Sequence, residues 1–274
     1  MSELKLLNEA VRDRINKCSD VGAAQFISSI RPIYGSFSGE IPEHIGTGIL
    51  LEIAGINYIL SAAHVFDHSE CASLYFGPNS GLELLEGEIF TTEKVAGKRF
   101  NDHFDFAWMK LPTELPLKIK NVKFLAENNF ANGQEDPKGR IYLALGYPNS
   151  RNEIRFSEKS FIPKYLKYSS TVKQDPVLCN KLNITGSKHL FLNFDSKTSK
   201  DSEGNIVGTI KPTGISGGGL IDMGIVSKPE NLLPETPCRG KLAGILIENR
   251  NEHKALVAVK ISVIVDQIKK NNFS

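Results

Sequence analysis

Thr213-Gly214-Ile215-Ser216-Gly217-Gly218-Gly219-Leu220 decides how this 274-residue chain is read. Glycines on both sides of one serine let the backbone turn tightly, and a tight turn aims its N–H groups at a common spot. If Ser216 attacks a carbonyl carbon, the N–H groups of Gly214 and Ser216 are the natural donors to the oxyanion that forms. Composition alone would also allow a solvated glycine turn. The apolar residues around it, Ile215, Leu220 and Ile221, point instead to a packed segment.

A serine needs a base before it can act as a nucleophile. Upstream, Ile59-Leu60-Ser61-Ala62-Ala63-His64-Val65-Phe66 reads as an apolar strand that ends in small residues and then a histidine. The strand fixes the backbone, the alanines permit close approach, and the imidazole emerges where the element stops. Taken alone, such a histidine is more often structural or merely exposed. Next comes Phe104-Asp105-Phe106-Ala107-Trp108-Met109-Lys110-Leu111, which places Phe104, Phe106 and Trp108 on one face and Asp105, Ala107 and Met109 on the other. A carboxylate among apolar neighbours needs a partner, and an imidazole N–H would both satisfy it and have its tautomer fixed by it. Asp102 is the local rival, but between Asn101 and His103 it reads as solvent-facing loop. His64 and His68, with Asp67 beside them, would suit a metal only on a helix, and no partner cluster accompanies them.

The texture around these three stretches is that of a mainly β protein. Residues 3–30 are helical in pattern: Leu4, Leu7, Val11 and Ile15 recur at helical spacing, and Ala23, Phe26, Ile27 and Ile30 continue a buried face beyond a break at Gly22, with Pro32 as the stop. Short strands follow over 45–53, 56–60, 72–76, 82–92, 104–110 and 122–125, the first two turning at Ala54-Gly55. Residues 128–140 read as a linker. A second series covers 141–145, 154–159, 189–194, 206–210, 218–225, 241–247 and 255–259, and Ile261, Ile264, Val265 and Ile268 then line one face of a terminal helix. The expected division is a helical segment (1–31), a first barrel with His64 and Asp105 (32–127), the linker (128–140), a second barrel with Ser216 (141–260) and a C-terminal helix (261–274). Each barrel is expected to be antiparallel and six-stranded.

Gly46-Thr47-Gly48, Ser61-Ala62-Ala63-His64, Asp105-Phe106-Ala107, Gly146-Tyr147-Pro148 and Gly214-Ile215-Ser216-Gly217-Gly218 together resemble the landmarks of trypsin-like, chymotrypsin-fold serine proteases, in that family's His, Asp, Ser order. The likeness extends from about Pro32 to Lys270 and is closer to the bacterial and cytoplasmic branches than to the secreted digestive ones. It implies a serine endopeptidase acting through an acyl-enzyme, with His64, Asp105 and Ser216 as triad, Gly214 and Ser216 as oxyanion hole, and neither a metal nor an organic cofactor required. A catalytically inactive peptide- or protein-binding module on the same scaffold is the alternative.

Departures from the family pattern narrow this. Val65 stands where the digestive branch has a cysteine, and Ile215 stands where it has the aspartate that receives a newly cut N-terminus, so activation by that ion pair is not expected. Ile210 maps to the base of the primary pocket, flanked by Lys211 and Thr213, with Ile247, Glu248 and Asn249 along the wall and Ala255 or Leu256 near the floor. An apolar base favours an apolar residue before the scissile bond. Glu248 keeps a basic preference open, and Lys211 and His189 an acidic or polar one.

The bulk numbers, 41% hydrophobic and 23% charged, exclude a mostly disordered chain and a membrane protein, and 23 glycines with 13 prolines suit many short strands and turns; the formal charge is +2. That charge, without a long basic stripe, disfavours nucleic acid as partner, and no run is apolar enough to span a membrane. The expected partner is a protein or peptide substrate. Residues 3–30 either pack on the body or dock an activating or scaffold protein. With no leader pattern at the start and four widely spaced cysteines, Cys18, Cys71, Cys179 and Cys238, free thiols and a cytoplasmic location are expected. By resemblance, a dedicated processing protease is favoured over a digestive one, and a role in bacterial defence is a further implication.

Overall fold

A computed structural model describes residues 7–38, 41–77, 81–115, 121–154, 162–173, 175–197, 199–200, 206–233 and 235–272. Helix α1 (Leu7–Phe26) leads into a sheet made of β1 (Ile30–Phe37), β2 (Glu43–Ile53), β3 (Ile56–Ala62), β4 (Ala72–Phe76), β5 (Glu83–Leu84), β6 (Ile89–Thr91), β7 (Phe106–Lys110) and β8 (Leu125–Ala126), with a short helix α2 (Ala63–Phe66) after β3. The second sheet contains β9 (Tyr142–Gly146), β10 (Leu166–Ser170), β11 (Val172–Lys173), β12 (His189–Asn193), β15 (Gly219–Asp222), β16 (Lys241–Arg250) and β17 (Ala255–Lys260), with α3 (Pro176–Leu182) before β12 and α4 (Ile261–Asn272) at the end. A separate hairpin pairs β13 (Ser199–Lys200) with β14 (Ile206–Val207).

The strand orders are β5-β4-β1-β2-β3-β7-β6, with β8 added on β2, and β10-β9-β15-β16-β17-β12-β11. Among the described residues, eight and seven strands therefore replace the expected six and six. The ladders are antiparallel except for the β2–β8 pair. Both sheets curl, because their strands bury both faces. In β7, Phe106 and Trp108 enter a core shared by the two sheets, while Ala107 and Met109 fill a cluster inside the first sheet. In β17, Val257 and Val259 face the shared core, and Leu256 and Ala258 face a cluster inside the second sheet. Period-two alternation between two apolar environments makes these strands read as unbroken hydrophobic runs.

The Ala54-Gly55 turn forms as read, with both residues at positive φ (49° and 77°), the geometry that joins two strands of right-handed twist. Strand β1 was hidden in the sequence by Pro32. It forms because Pro32, paired across from Thr47, contributes only its carbonyl, which accepts from Gly77 N–H at 3.0 Å. The expected strand over 82–92 divides at Gly87, where a side chain would strike the Lys110 carbonyl. Strands β10 and β11 and helix α3 were not foreseen, and most of the expected strand over 154–159 lies outside the described residues.

Helix α1 differs from its reading in two ways. It runs straight through Gly22, whose bare Cα lies against Met223 and Leu143, and its buried face is Cys18, Gly22, Ala23 and Phe26, whereas Leu7 is 67% exposed. Leu4 is outside the described residues. Docking of α1 on the second sheet also corrects the cysteine expectation: Cys18 and Cys238 form a disulfide, and only Cys71 and Cys179 are free. The helix brings its own side chains to the 237–240 segment, where Gly240 and Gln25 exchange long hydrogen bonds at 3.4 Å. Free thiols thus give no support to a reducing compartment. At the other terminus α4 buries Ile261, Ile264, Val265 and Ile268 as read, and Asn272 donates to Tyr58 Oη across to β3. Among the described residues no helix is long and apolar enough to cross a membrane.

Candidate active site

Strand β3 ends at Ala62, and His64 sits in the first turn after it. Ala62 and Ala63 are fully buried, and Ala63 N–H donates to the Asp105 carbonyl at 2.9 Å, which sets the two segments side by side. Asp105 occupies the residue before β7 with φ of +39°, a left-handed conformation uncommon for a residue with a side chain. There its carboxylate receives two bonds from one residue: His64 N–H donates to Oδ1 at 2.9 Å, and His64 Nδ1–H donates to Oδ2 at 2.6 Å. The Asp105 side chain is 11% exposed and the imidazole 39%. Burial pushes the Asp105 carboxyl above the ordinary carboxylate range, against the pull of the imidazole. This pairing leaves Nε2 as the acceptor nitrogen of the neutral ring. Nε2 makes no hydrogen bond among the described residues.

Ser216 lies on the other sheet, in the turn that precedes β15, and the turn is sewn to β2. Its carbonyl accepts from Thr47 N–H at 2.9 Å, Thr47 Oγ1 donates to the Gly214 carbonyl at 3.0 Å, and the same hydroxyl accepts from Tyr147 N–H at 2.9 Å. Ser61, on the strand that leads to His64, donates to the Thr47 carbonyl at 2.6 Å. Two glycines are demanded by this packing. Gly214 (φ +92°) lies against Asn149, and Gly217 (φ +84°) lies so close that an added Cβ would sit 1.9 Å from the Thr47 carbonyl oxygen. Within the turn Ile215, Gly217 and Gly218 donate their N–H groups to Pro212, Leu246 and Ile215. The N–H groups of Gly214 and Ser216 find no acceptor among the described residues. Ser216 Oγ makes no hydrogen bond to His64.

The expected pocket residues divide by environment. Ile247, Ala255 and Leu256 are packed into the cores. Ile210 and Asn249 are half-buried, while Lys211 and Thr213 are exposed. Glu248, at an irregularity in β16, is ion-paired with Arg250. His189 is buried with its nitrogens at the carbonyls of Thr185 and His103, which corrects its reading as a group open to substrate. Asp102 is also corrected: it is 7% exposed, held by Arg99, Thr92 and the Phe104 N–H. Nothing in the local pattern signals this, because Arg99 and Thr92 reach Asp102 only once the 92–102 segment folds back on itself. Among the described residues no group of three His, Cys, Asp or Glu side chains gathers at one point, and His68 packs edge-on against Phe37. Thr47 and Ser61 were missed as site residues; the only signal was their small, polar character within apolar strands.

No protein-family model and no curated protein matches the sequence. Solved structures do. GrC superposes with a TM-score of 0.53 and 15% identity over 90% of this chain and 95% of that one. The Vibrio cholerae VesB protease superposes with a TM-score of 0.52 and 13% identity over 92% of this chain and 65% of that one, so the chain spans just under two thirds of VesB. At these identities the likeness is one of fold: two curled antiparallel sheets with a few helices, broadly chymotrypsin-like.

Proposed function

We propose that the protein is a serine endopeptidase that cleaves peptide bonds through an acyl-enzyme. The observation that carries this is the His64–Asp105 pair, which follows the strand whose Ser61 bonds to Thr47, the residue that holds the glycine-flanked serine turn. In this account Ser216 Oγ attacks the scissile carbonyl carbon while its proton passes to His64 Nε2. Asp105 holds the ring in the Nδ1–H tautomer and stabilises the imidazolium. The carbonyl oxygen, now anionic, takes the N–H groups of Gly214 and Ser216, both without an acceptor among the described residues. Collapse of this intermediate breaks the C–N bond, and the leaving amine takes the proton from Nε2. Water then repeats the sequence on the ester, and Ser216 recovers its proton.

Ile215 supports activity without ion-pair activation, since its side chain is buried in the second-sheet cluster and offers no charge to an incoming N-terminus. For specificity we favour an apolar residue before the scissile bond. Ile210 supplies no charge, and the charge of Glu248 is already met by Arg250. The substrate is a protein or peptide, and a selective processing role suits this site. The catalytically inactive binding module is the second reading, favoured by one observation, the missing Ser216–His64 hydrogen bond. A fluorophosphonate probe separates the two. Covalent labelling of the native protein that disappears in Ser216→Ala supports the endopeptidase. Equal background labelling of both proteins favours the binding module.

A further inference from the structure

Arg99 stands between the two segments that carry the His64–Asp105 pair. On one side is Asp67, in the turn that continues α2 beyond His64. On the other is Asp102, in the loop that leads into Asp105. Arg99 Nε and Nη2 donate to the two oxygens of Asp67 at 2.8 and 2.9 Å, a planar two-pronged fit. Its Nη1 donates to Asp102 Oδ2 at 2.8 Å and to the Thr92 carbonyl at 2.7 Å. Asp102 passes the constraint on: Oδ1 accepts from Phe104 N–H at 3.0 Å, and Oδ2 also accepts from Thr92 Oγ1. The Arg99 side chain is 12% exposed and that of Asp102 5%, so these charged contacts are largely shielded from water.

We propose that Arg99 is a positioning residue for the hydrolytic site: its guanidinium clamps the His64-bearing turn to the Asp105-bearing loop and so sets the distance between imidazole and carboxylate. The proposal rests on the assignment of His64 and Asp105 to catalysis. Direct bonds between the segments, from the N–H groups of Ala63 and His64, fix the start of α2 against Asp105. They leave the loop over 99–104 to decide how Asp105 enters β7. Asp105 holds a left-handed backbone that only its surroundings can impose, and conformations of this kind persist where neighbours over-determine them. Without Arg99 the carboxylates of Asp67 and Asp102 would lose their common cation. Lys94, 3.7 Å from Asp67, would remain on one side only. The two segments would then be joined only through the direct bonds at Asp105. The charges agree with such a clamp. Bonding to Asp67 raises the Arg99 pKa above its ordinary value, and although burial pushes the Asp67 carboxyl up, Arg99 outweighs it and the net shift is downward.

Three variants test the clamp: Arg99→Met, which keeps length and loses charge and fork; Arg99→Lys, which keeps charge and loses the fork; and Asp67→Asn, which keeps shape. Two readouts are combined with a thermal melt. One is the rate of Ser216-dependent fluorophosphonate labelling. The other is the low-field proton resonance of His64 Nδ1–H, recorded in a Ser216→Ala background, where no turnover is needed. Arg99→Met is expected to label on the order of 100-fold more slowly, the scale of loss that follows from an ångström of misplacement, and to lose the low-field proton while still melting cooperatively. Arg99→Lys is expected to recover part of both, to within about tenfold of wild type, because charge without the fork holds less firmly. Asp67→Asn is expected to follow Arg99→Met in direction, and it decides the matter if Arg99→Met does not fold. Retention of the low-field proton with labelling within about twofold of wild type in both variants would overturn the clamp, since an ångström-scale displacement predicts a far larger loss. Serine-independent labelling of the wild type would instead overturn the endopeptidase, and the low-field proton would still report on the clamp.

Discussion

His44 offers a test of the inter-sheet seam by pH. It lies on β2, 6% exposed, with Nδ1–H donating to Asn149 Oδ1 at 2.7 Å and its ring edge-on to Tyr34. Asn149 belongs to the loop after β9, and its N–H donates to the Thr213 carbonyl at the start of the serine turn. Burial drives the His44 pKa down to about 4 from an ordinary value of 6.5, against the upward pull of its bonds to Asn149 and the Gly46 backbone. The folded protein therefore binds this proton less readily than the unfolded chain. The neutral ring's contribution to stability is complete above the unfolded pKa and is lost as pH falls toward the folded one. Two to three pKa units at about 1.4 kcal/mol each give a loss on the order of 3 kcal/mol between about pH 7 and about pH 4. His44→Gln replaces the ring with a donor that does not titrate. Urea unfolding of both proteins across that range isolates His44, because the other titrating groups are common to both. The wild type is expected to lose on the order of 3 kcal/mol more than the variant on acidification. Parallel pH dependences in the two proteins would refute a buried, neutral His44.

Three further outcomes follow from the geometry. Gly217→Ala is expected to cost roughly 1–2 kcal/mol for its left-handed backbone, and more for driving Thr47 and Ser61 from the serine turn; a melt and a labelling assay should show lower stability and a larger loss of labelling. Replacing Cys18 and Cys238 together by serine opens a bridge spanning 220 residues of sequence and is expected to cost about 2–4 kcal/mol, read by denaturant unfolding with and without reductant. Ile210→Asp is expected to move cleavage-site profiles from apolar residues toward Arg and Lys before the scissile bond, while an unchanged profile would remove Ile210 from the pocket.

What could be read in the sequence was whatever a short stretch determines by itself. The Ala54-Gly55 turn, the strand that ends in alanines before His64, the alternation through Phe106–Met109 and the apolar face of α4 are all local patterns, and each appears where read. The readings that failed depend on how the chain folds back on itself. Asp102 looked solvated because nothing adjacent predicts Arg99 folding back on it. Cys18 and Cys238 looked free because only the docking of α1 brings them together. Gly22 looked like a break, yet its missing side chain is what lets α1 approach Met223. Thr47 was visible only as a small residue between glycines, and its three bonds to Ser216, Gly214 and Tyr147 require the opposing sheet to be in place.

A crystal structure of the protein after fluorophosphonate treatment tests the central assignment most directly. The account predicts density continuous from Ser216 Oγ into the phosphonyl group, His64 Nε2 beside it, and the phosphonyl oxygen about 2.7–3.1 Å from the N–H groups of Gly214 and Ser216. An unmodified Ser216 separated from His64 by packed side chains, with the probe elsewhere or absent, would contradict it.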